Sequence, residues 1–410
     1  MNIFAETIKH KKFDLFVIIF LFLITFLFRI PLIEIYGDTS LEYEWGKLVK
    51  NLVENNQLVL KTIDGFLLPN LWMPPLYAYF IYLFTLFNLS EQNLVFVVIL
   101  TQIFLSSITV LFFYKINKFF FTRLISLLSA LIFSLFPLYA YASTQISSIT
   151  LQVFFTILFI FYLFKILKDQ NFQNIFLFSL SGGLLILLRG EFYAILILSI
   201  LYLFIYKVKI KNLILICLIA FLVASPYLIR NYLIFEKVTV LNSFGYNIWK
   251  GNHPTAVEKS IVAGVQIKSE EIQKKVDQIP RDVNYRFKFN KIFFEEAMKN
   301  FKDKPLDHVI FILKKAISFI FIDFNSKDKN YYNPWHFIPI LTVGIISIVG
   351  ILLSDKKSKN LNYLILILII YIGIYSLVSV MPRYKLMILP IQIIFFMQAL
   401  DFVYKKIKGN

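Results

Sequence analysis

Apolar residues along this chain are not confined to one helical face, nor do they alternate with polar ones. They form unbroken runs of about twenty residues that recur from end to end, each long enough to cross a bilayer core as a helix. Backbone polar groups in lipid must be satisfied within the segment, so such runs predict helices; barrel strands would alternate apolar and polar. Ten runs predict full spans: residues 14–33, 93–114, 122–141, 147–166, 173–189, 190–206, 212–229, 335–354, 361–380 and 384–404. Two further runs predict interfacial helices instead. Residues 74–87 (PPLYAYFIYLFTLF) are too short to span. Residues 306–324 carry Lys314 and Lys315 at their middle, where each charge would cost at least ~2.5 kcal/mol in a bilayer centre.

Basic residues orient this array. With the N-terminus inside, the inner connections carry Lys9, Lys11 and Lys12, then Lys115, Lys118 and Arg123, and later Lys207, Lys209, Lys211 and the lysines near 356 and 405. The short outer connections are much poorer in lysine and arginine, and promoting either interfacial run to a span would destroy that bias. Both termini are therefore expected in the cytoplasm. Three regions follow: residues 1–229, a transmembrane module whose first extracytoplasmic loop is 34–92; residues 230–334, an extracytoplasmic region with amphipathic helices over 257–303, broken at Pro280; and residues 335–410, the C-terminal spans. The first run is too long for a cleaved signal peptide and lacks a small-residue cleavage site.

Composition agrees. The 410 residues are 58% hydrophobic and 18% aromatic, with a mean hydropathy of +0.71, more apolar surface than a soluble domain can hide. The net charge of +17 is no nucleic-acid signal, because the basic residues flank apolar runs. The single cysteine, Cys217, lies within a run and reads as packing. The fold class is all-α polytopic membrane protein, with about ten transmembrane helices, two interfacial helices and a small extracytoplasmic loop region.

Ionisable residues are costly in membranes, so their positions are informative. Here they gather at the outer ends of spans: Asp38, Glu42 and Glu44 after the first, Arg189 and Glu191 between the fifth and sixth, Arg230 and Asn231 ending the seventh, Arg383 and Lys385 opening the tenth. A transporter would place carboxylates near the midplane; this arrangement suits chemistry on a lipid headgroup. Interfacial cations also anchor phospholipids, and acids after a span also serve as solvated helix starts. His253, His308 and His336 lack ligand spacing, and no P-loop, dinucleotide fingerprint or serine-hydrolase elbow occurs.

An ordered set of motifs falls at these same places. Gly37-Asp38-Thr39-Ser40-Leu41-Glu42-Tyr43 follows the first span, and Pro74-Pro75-Leu76-Tyr77 opens the first interfacial helix. After the seventh span come Pro226-Tyr227, Arg230-Asn231-Tyr232, Phe235, Gly245-Tyr246-Asn247-Ile248-Trp249 and Gly251-Asn252; the last span opens with Arg383-Tyr384-Lys385 and Pro390. In this set the chain resembles the GT-C superfamily of membrane glycosyltransferases, in the branch of protein O-mannosyltransferases and the lipid A aminoarabinose transferase. It departs from the family at Gln145-Ile146-Ser147-Ser148-Ile149-Thr150, where members carry a second acid.

The resemblance implies a sugar donor on a polyprenyl phosphate, an acceptor hydroxyl on a lipid, protein or glycan, and inversion at the anomeric carbon on the outer face of the cytoplasmic membrane. Asp38 is then the candidate base. Arg230 and Arg383 are candidates for the donor phosphate, with Arg189 and Lys385 behind them, and Glu42, Tyr43, Asn231, Asn252 and Tyr384 complete the expected substrate-binding set. No cofactor is implied, and a divalent metal bridged by two acids lacks its second carboxylate. The rival readings are a flippase or transporter of lipid-linked sugars, and a non-catalytic glycan-assembly protein.

Overall fold

The structure is a computed structural model that describes residues 2–41, 43–63, 65–326 and 329–408; Glu42 lies outside the described residues, as does the side chain of Tyr43. The chain opens with α1 (Asn2–Arg29), a short α2 (Leu32–Tyr36) and α3 (Tyr43–Asn55). The strands β1 (Val59–Ile63) and β2 (Phe66–Pro69) form an antiparallel hairpin, followed by α4 (Pro75–Thr85). The central helices are α5 (Glu91–Asn117), α6 (Arg123–Leu135), α7 (Pro137–Ser143), α8 (Ile149–Lys168), α9 (Phe172–Leu188), α10 (Phe192–Ile205) and α11 (Ile210–Phe235). Then come α12 (Phe244–Gly251), α13 (Pro254–Glu258), α14 (Glu270–Asp277), α15 (Tyr285–Asp303) and α16 (Pro305–Ile320). The chain closes with α17 (Pro334–Leu352), α18 (Lys359–Leu377), α19 (Pro382–Lys385) and α20 (Leu389–Ile407).

This is an all-α polytopic membrane protein. Each of the ten predicted runs coincides with helix, and among the described residues α5, α8, α11, α17 and α18 are long and apolar enough to cross a membrane. The third run differs from a simple span: it breaks at Phe136 into α6 and α7, bent by 53°. Pro137 has no N–H to continue the ladder, and the break leaves the Ser134 carbonyl without its helical partner. The fully buried Arg29, at the end of α1, supplies one, with Nη2 donating to Ser134 O at 3.1 Å and Nη1 reaching Ser106 Oγ. Two boundaries also move. Helix α11 continues past the predicted span end to Phe235, so Arg230 and Asn231 lie in its last turns, and α20 begins at Leu389, leaving Arg383, Tyr384 and Lys385 ahead of it.

One large apolar cluster unites α1, α5, α6, α8, α9, α18 and α20. A second, smaller cluster packs the two predicted outer segments on each other: Leu68 of β2 meets Ile248 and Trp249 of α12, with Phe289 and Phe293 of α15. Two glycines permit this layer. A Cβ on Gly245 would sit 2.3 Å from the Asn290 carbonyl oxygen, and one on Gly251 would sit 1.6 Å from the Val378 oxygen, so α12 is wedged between α15 and the end of α18 at backbone contact. Lys315, which the sequence marks as ill-suited to a span, closes that wedge. It is fully buried, and its Nζ donates to Gly251 O at 3.2 Å, Asn252 Oδ1 at 2.8 Å and Val378 O at 3.0 Å.

Candidate active site

The chain leaves α2 at Gly37, and Asp38 follows in a non-helical turn. Its backbone N–H donates to Thr144 O at 3.3 Å, and its Oδ2 accepts from the Ile146 N–H at 2.5 Å. The stretch that lacks the family's second acid is thus the seat of the first one. Gln145 adds to this seat by donating from Nε2 to the Tyr36 carbonyl. Asp38 is half-buried, and desolvation holds its carboxyl above the ordinary range despite the Ile146 amide, which acts the other way. Behind it stands Tyr77 of α4, fully buried, whose hydroxyl donates to Gln102 Oε1 at 2.8 Å. Burial first, and the Asp38 carboxylate second, hold that phenol un-ionised well beyond the ordinary range. Gln102 in turn donates to Gln145 O at 2.8 Å, so α5 fixes both the seat and Tyr77.

A second group forms at the α9–α10 turn and α19. Arg189 donates from Nε to Gln152 Oε1 at 2.9 Å, lies 3.9 Å from Glu191, and places its guanidinium 5.0 Å from the Tyr384 ring. Arg383 sits on the same ring at 5.4 Å. Tyr375 stacks on Tyr384 at 4.5 Å and donates its hydroxyl to Glu191, which closes the group. Burial would raise the Tyr384 phenol, but the Arg189 and Arg383 charges outweigh it and bring it below its usual value.

Lys250, at the end of α12, lies near enough for the charges of this group to act on it. Its ammonium is depressed by burial and by Arg383, and supported by Tyr384 and by Glu44. Glu44 lies in the first turn of α3, beside Trp45, whose ring meets Tyr77 edge-on at 4.8 Å. Ile146, which seats Asp38, and Gln152, which holds Arg189, lie on either side of the start of α8, so the two groups sit at the same end of the bundle. The opposite end carries its own ion cluster, in which Asp14 binds Lys118 at 2.7 Å and Arg123 at 3.3 Å.

The remaining candidates are engaged in holding the scaffold. Arg230 donates to Asn231 Oδ1 at 2.6 Å and to the Asn70 and Leu58 carbonyls at 3.4 Å each, bracing α11 against the first loop. Asn231 is fully buried and donates to Thr239 O at 2.6 Å. Asn252 is fully buried too, donating to Ile248 O and Leu377 O at 2.8 Å each while accepting from Lys315. Lys385 is turned inward onto the Phe321 carbonyl, and burial brings its ammonium down to about 7, partly offset by Asp323. Lys250 was missed from sequence, although it sits inside the quoted Gly245–Asn252 stretch; a lone lysine after Trp249 gave no sign of its neighbours.

Among the described residues, no group of three histidine, cysteine or acidic side chains could hold a metal ion.

Residues 73–229 match the family model for dolichyl-phosphate-mannose-protein mannosyltransferases. The fold resembles that of the oligosaccharyltransferase AglB of Archaeoglobus fulgidus, solved with an inhibitory peptide and a dolichol-phosphate: TM-score 0.59 at 15% identity over 97% of this chain. The apo form of the Archaeoglobus fulgidus oligosaccharyltransferase gives 0.58 at 14% identity over 96%. The same enzyme tethered to an acceptor peptide gives 0.58 at 15% over 97%. This chain spans about half the length of those structures, 51%, 51% and 50% respectively. No curated protein matches it by sequence. The chain thus shares the fold of these oligosaccharyltransferases and, over residues 73–229, matches the mannosyltransferase family model.

Proposed function

We propose that this protein is an inverting glycosyltransferase that moves a sugar from a polyprenyl phosphate to an acceptor hydroxyl on the extracytoplasmic face of the cytoplasmic membrane. The observation that carries the reading is a seated carboxylate and a group of cations at the same end of the bundle, both held at the start of α8. Asp38 takes the proton of the acceptor hydroxyl as its oxygen bonds to the anomeric carbon, and the bond from that carbon to the phosphate oxygen breaks. A base whose pKa is raised by burial is better matched to this task than a solvated aspartate. Negative charge grows on the leaving polyprenyl phosphate, and Arg383, Lys250 and Arg189 are the groups that meet it, with Tyr384 between the two guanidiniums. The leaving phosphate needs no acid, because it is already a weak base.

Dolichol-phosphate in the AglB structure, and the dolichyl-phosphate-mannose donor in the description of the matching family, support a lipid-phosphate donor here. Gathering of the charged groups at one end, rather than along a central passage, favours transfer over transport. The test is reconstitution: the full chain in nanodiscs, radiolabelled polyprenyl-phosphate sugars, and a panel of lipid, peptide and glycan acceptors. Transfer that depends on Asp38 supports the reading. Vesicle-to-vesicle movement of intact donor, with no transfer to any acceptor, would sink it.

A further inference from the structure

The mechanism leaves one well-built surface unused. Trp72, just before α4, and Tyr246 of α12 present half-exposed rings 4.8 Å apart, with Phe289 of α15 behind them at 6.1 and 5.8 Å. The Asn70 side chain fixes Trp72 by accepting the N–H groups of Trp72 and Met73 at 3.0 Å each. Cations lie directly on these rings: the Arg286 guanidinium is 5.2 Å from Trp72, and the Lys268 ammonium is 5.9 Å from Phe289. Arg286 is only 9% exposed. Lys61 is exposed on β1, paired with Leu68, whose side chain packs in the same cluster as Trp72, Tyr246 and Phe289. After burial, the largest influences on its ammonium are Arg286, Lys268, Arg281 and Lys47, and all of them are cations that lower it. The nearby Asp282 carboxylate is taken by Lys288 at 2.7 Å.

Gathering cations on one face of a layer works against folding unless an anion meets them. Two adjoining half-exposed aromatic faces are apolar surface with direction, suited to the C–H face of a sugar ring. The surface is also tied along the chain to two elements of the candidate site. Trp72 lies five residues before Tyr77, and Tyr246 lies one helical turn before Lys250.

We propose that this shelf is an acceptor subsite for an anionic glycan, its sugar ring on Trp72 and Tyr246 and its carboxylate or phosphate on Arg286, Lys61 and Lys268. The inference deepens the transferase reading and rests on it, naming the acceptor class that the reading leaves open. An acidic peptide would use the cations but not the paired ring faces; a neutral glycan would use the rings alone.

The test is binding rather than turnover, so that it fails separately from the transferase reading. The full chain in nanodiscs of phosphatidylcholine is titrated calorimetrically with trigalacturonic acid, with maltotriose as the neutral glycan and hexaglutamate as the acidic peptide. Trigalacturonic acid binds best and weakens as salt rises. Replacement of the two exposed lysines together, Lys61→Gln with Lys268→Gln, lowers its affinity by about tenfold or more, the loss of one charge-assisted contact. Trp72→Ala does the same, and Trp72→Phe restores part of it. The proposal is overturned if the lysine pair or Trp72→Ala binds trigalacturonic acid as the wild type does. Maltotriose or hexaglutamate binding equally well also overturns it, the latter showing a charge patch that does not read sugar. Shelf binding that persists while no donor supports transfer would overturn the enzymatic reading instead.

Discussion

Asp38→Asn is the sharpest test of the proposed chemistry, because the structure separates the two jobs of this side chain. One oxygen holds the Ile146 amide at 2.5 Å, and the asparagine carbonyl keeps that bond. The turn, the Gln145 contact and the position of α4 all survive. What the variant loses is the lone pair that accepts a proton. General-base loss costs about 100- to 10,000-fold in rate, or roughly 2.7–5.4 kcal/mol of barrier at 1.36 kcal/mol per decade. The arginine group is untouched, so the KM for the polyprenyl donor stays near wild type and the fall appears in kcat. The wild-type pH profile adds a second arm. The base must be deprotonated, so activity falls as pH drops through its pKa, and burial places that acid limb above the ordinary aspartate range. In Asp38→Asn the limb disappears from whatever activity is left. The assay is transfer from labelled donor in nanodiscs, with thermal unfolding measured in parallel. Full kcat in a folded Asp38→Asn protein refutes the assignment, as does an unchanged acid limb.

Arg383→Ala raises the donor KM or lowers kcat by about tenfold or more, the worth of a charge-assisted phosphate contact of ~1.5–3 kcal/mol, and Arg383→Lys restores only part because it lacks the bidentate fork. Arg230→Ala instead lowers the melting temperature and leaves the donor KM near wild type, since its guanidinium is spent on the carbonyls of Leu58 and Asn70; an unchanged melting curve with a raised KM would return it to the phosphate. Lys315→Met destabilises, because each of the three acceptors left bare costs about 1–3 kcal/mol, whereas Lys314→Met, on the exposed side of α16, shifts the melting temperature little. A reporter that fluoresces only in the cytoplasm, fused after Asp277, stays dark; bright signal there would reverse the orientation and place the proposed site on the wrong face.

The long apolar runs were legible because the bilayer leaves the backbone one solution, and each run is indeed helix. What the pattern could not resolve is where a run is interrupted for tertiary reasons. Pro137 is visible in sequence, but the buried Arg29 that makes the break tolerable lies more than a hundred residues earlier. The β-hairpin had a readable signal, Asp64-Gly65 between apolar residues, and was hidden by the expectation of an all-helical chain. At the candidate site, Tyr384 stood out through the motif that the resemblance rests on, and Asp38, Arg189 and Arg383 because charge is expensive near lipid. Arg230 stood out for the same reason, yet its cost is met by carbonyls that sequence cannot locate. Glycines 245 and 251 looked like motif letters; their meaning, two close backbone approaches that set Lys250, emerges only when α15 and α18 are in place.

The seat of Asp38 is made by an amide rather than by a side chain, and that changes what variation can do there. Any residue with a main-chain N–H supplies this donor at position 146, so the bond itself does not depend on the side chain, which is buried in the apolar cluster and answers only to packing. Proline alone removes the donor, which makes Ile146→Pro a lesion of the seat, whereas Ile146→Val keeps the bond and costs about 0.5–1.5 kcal/mol of packing. What holds the proposed base in place is stored in the path of the backbone, where counting carboxylates does not reach it.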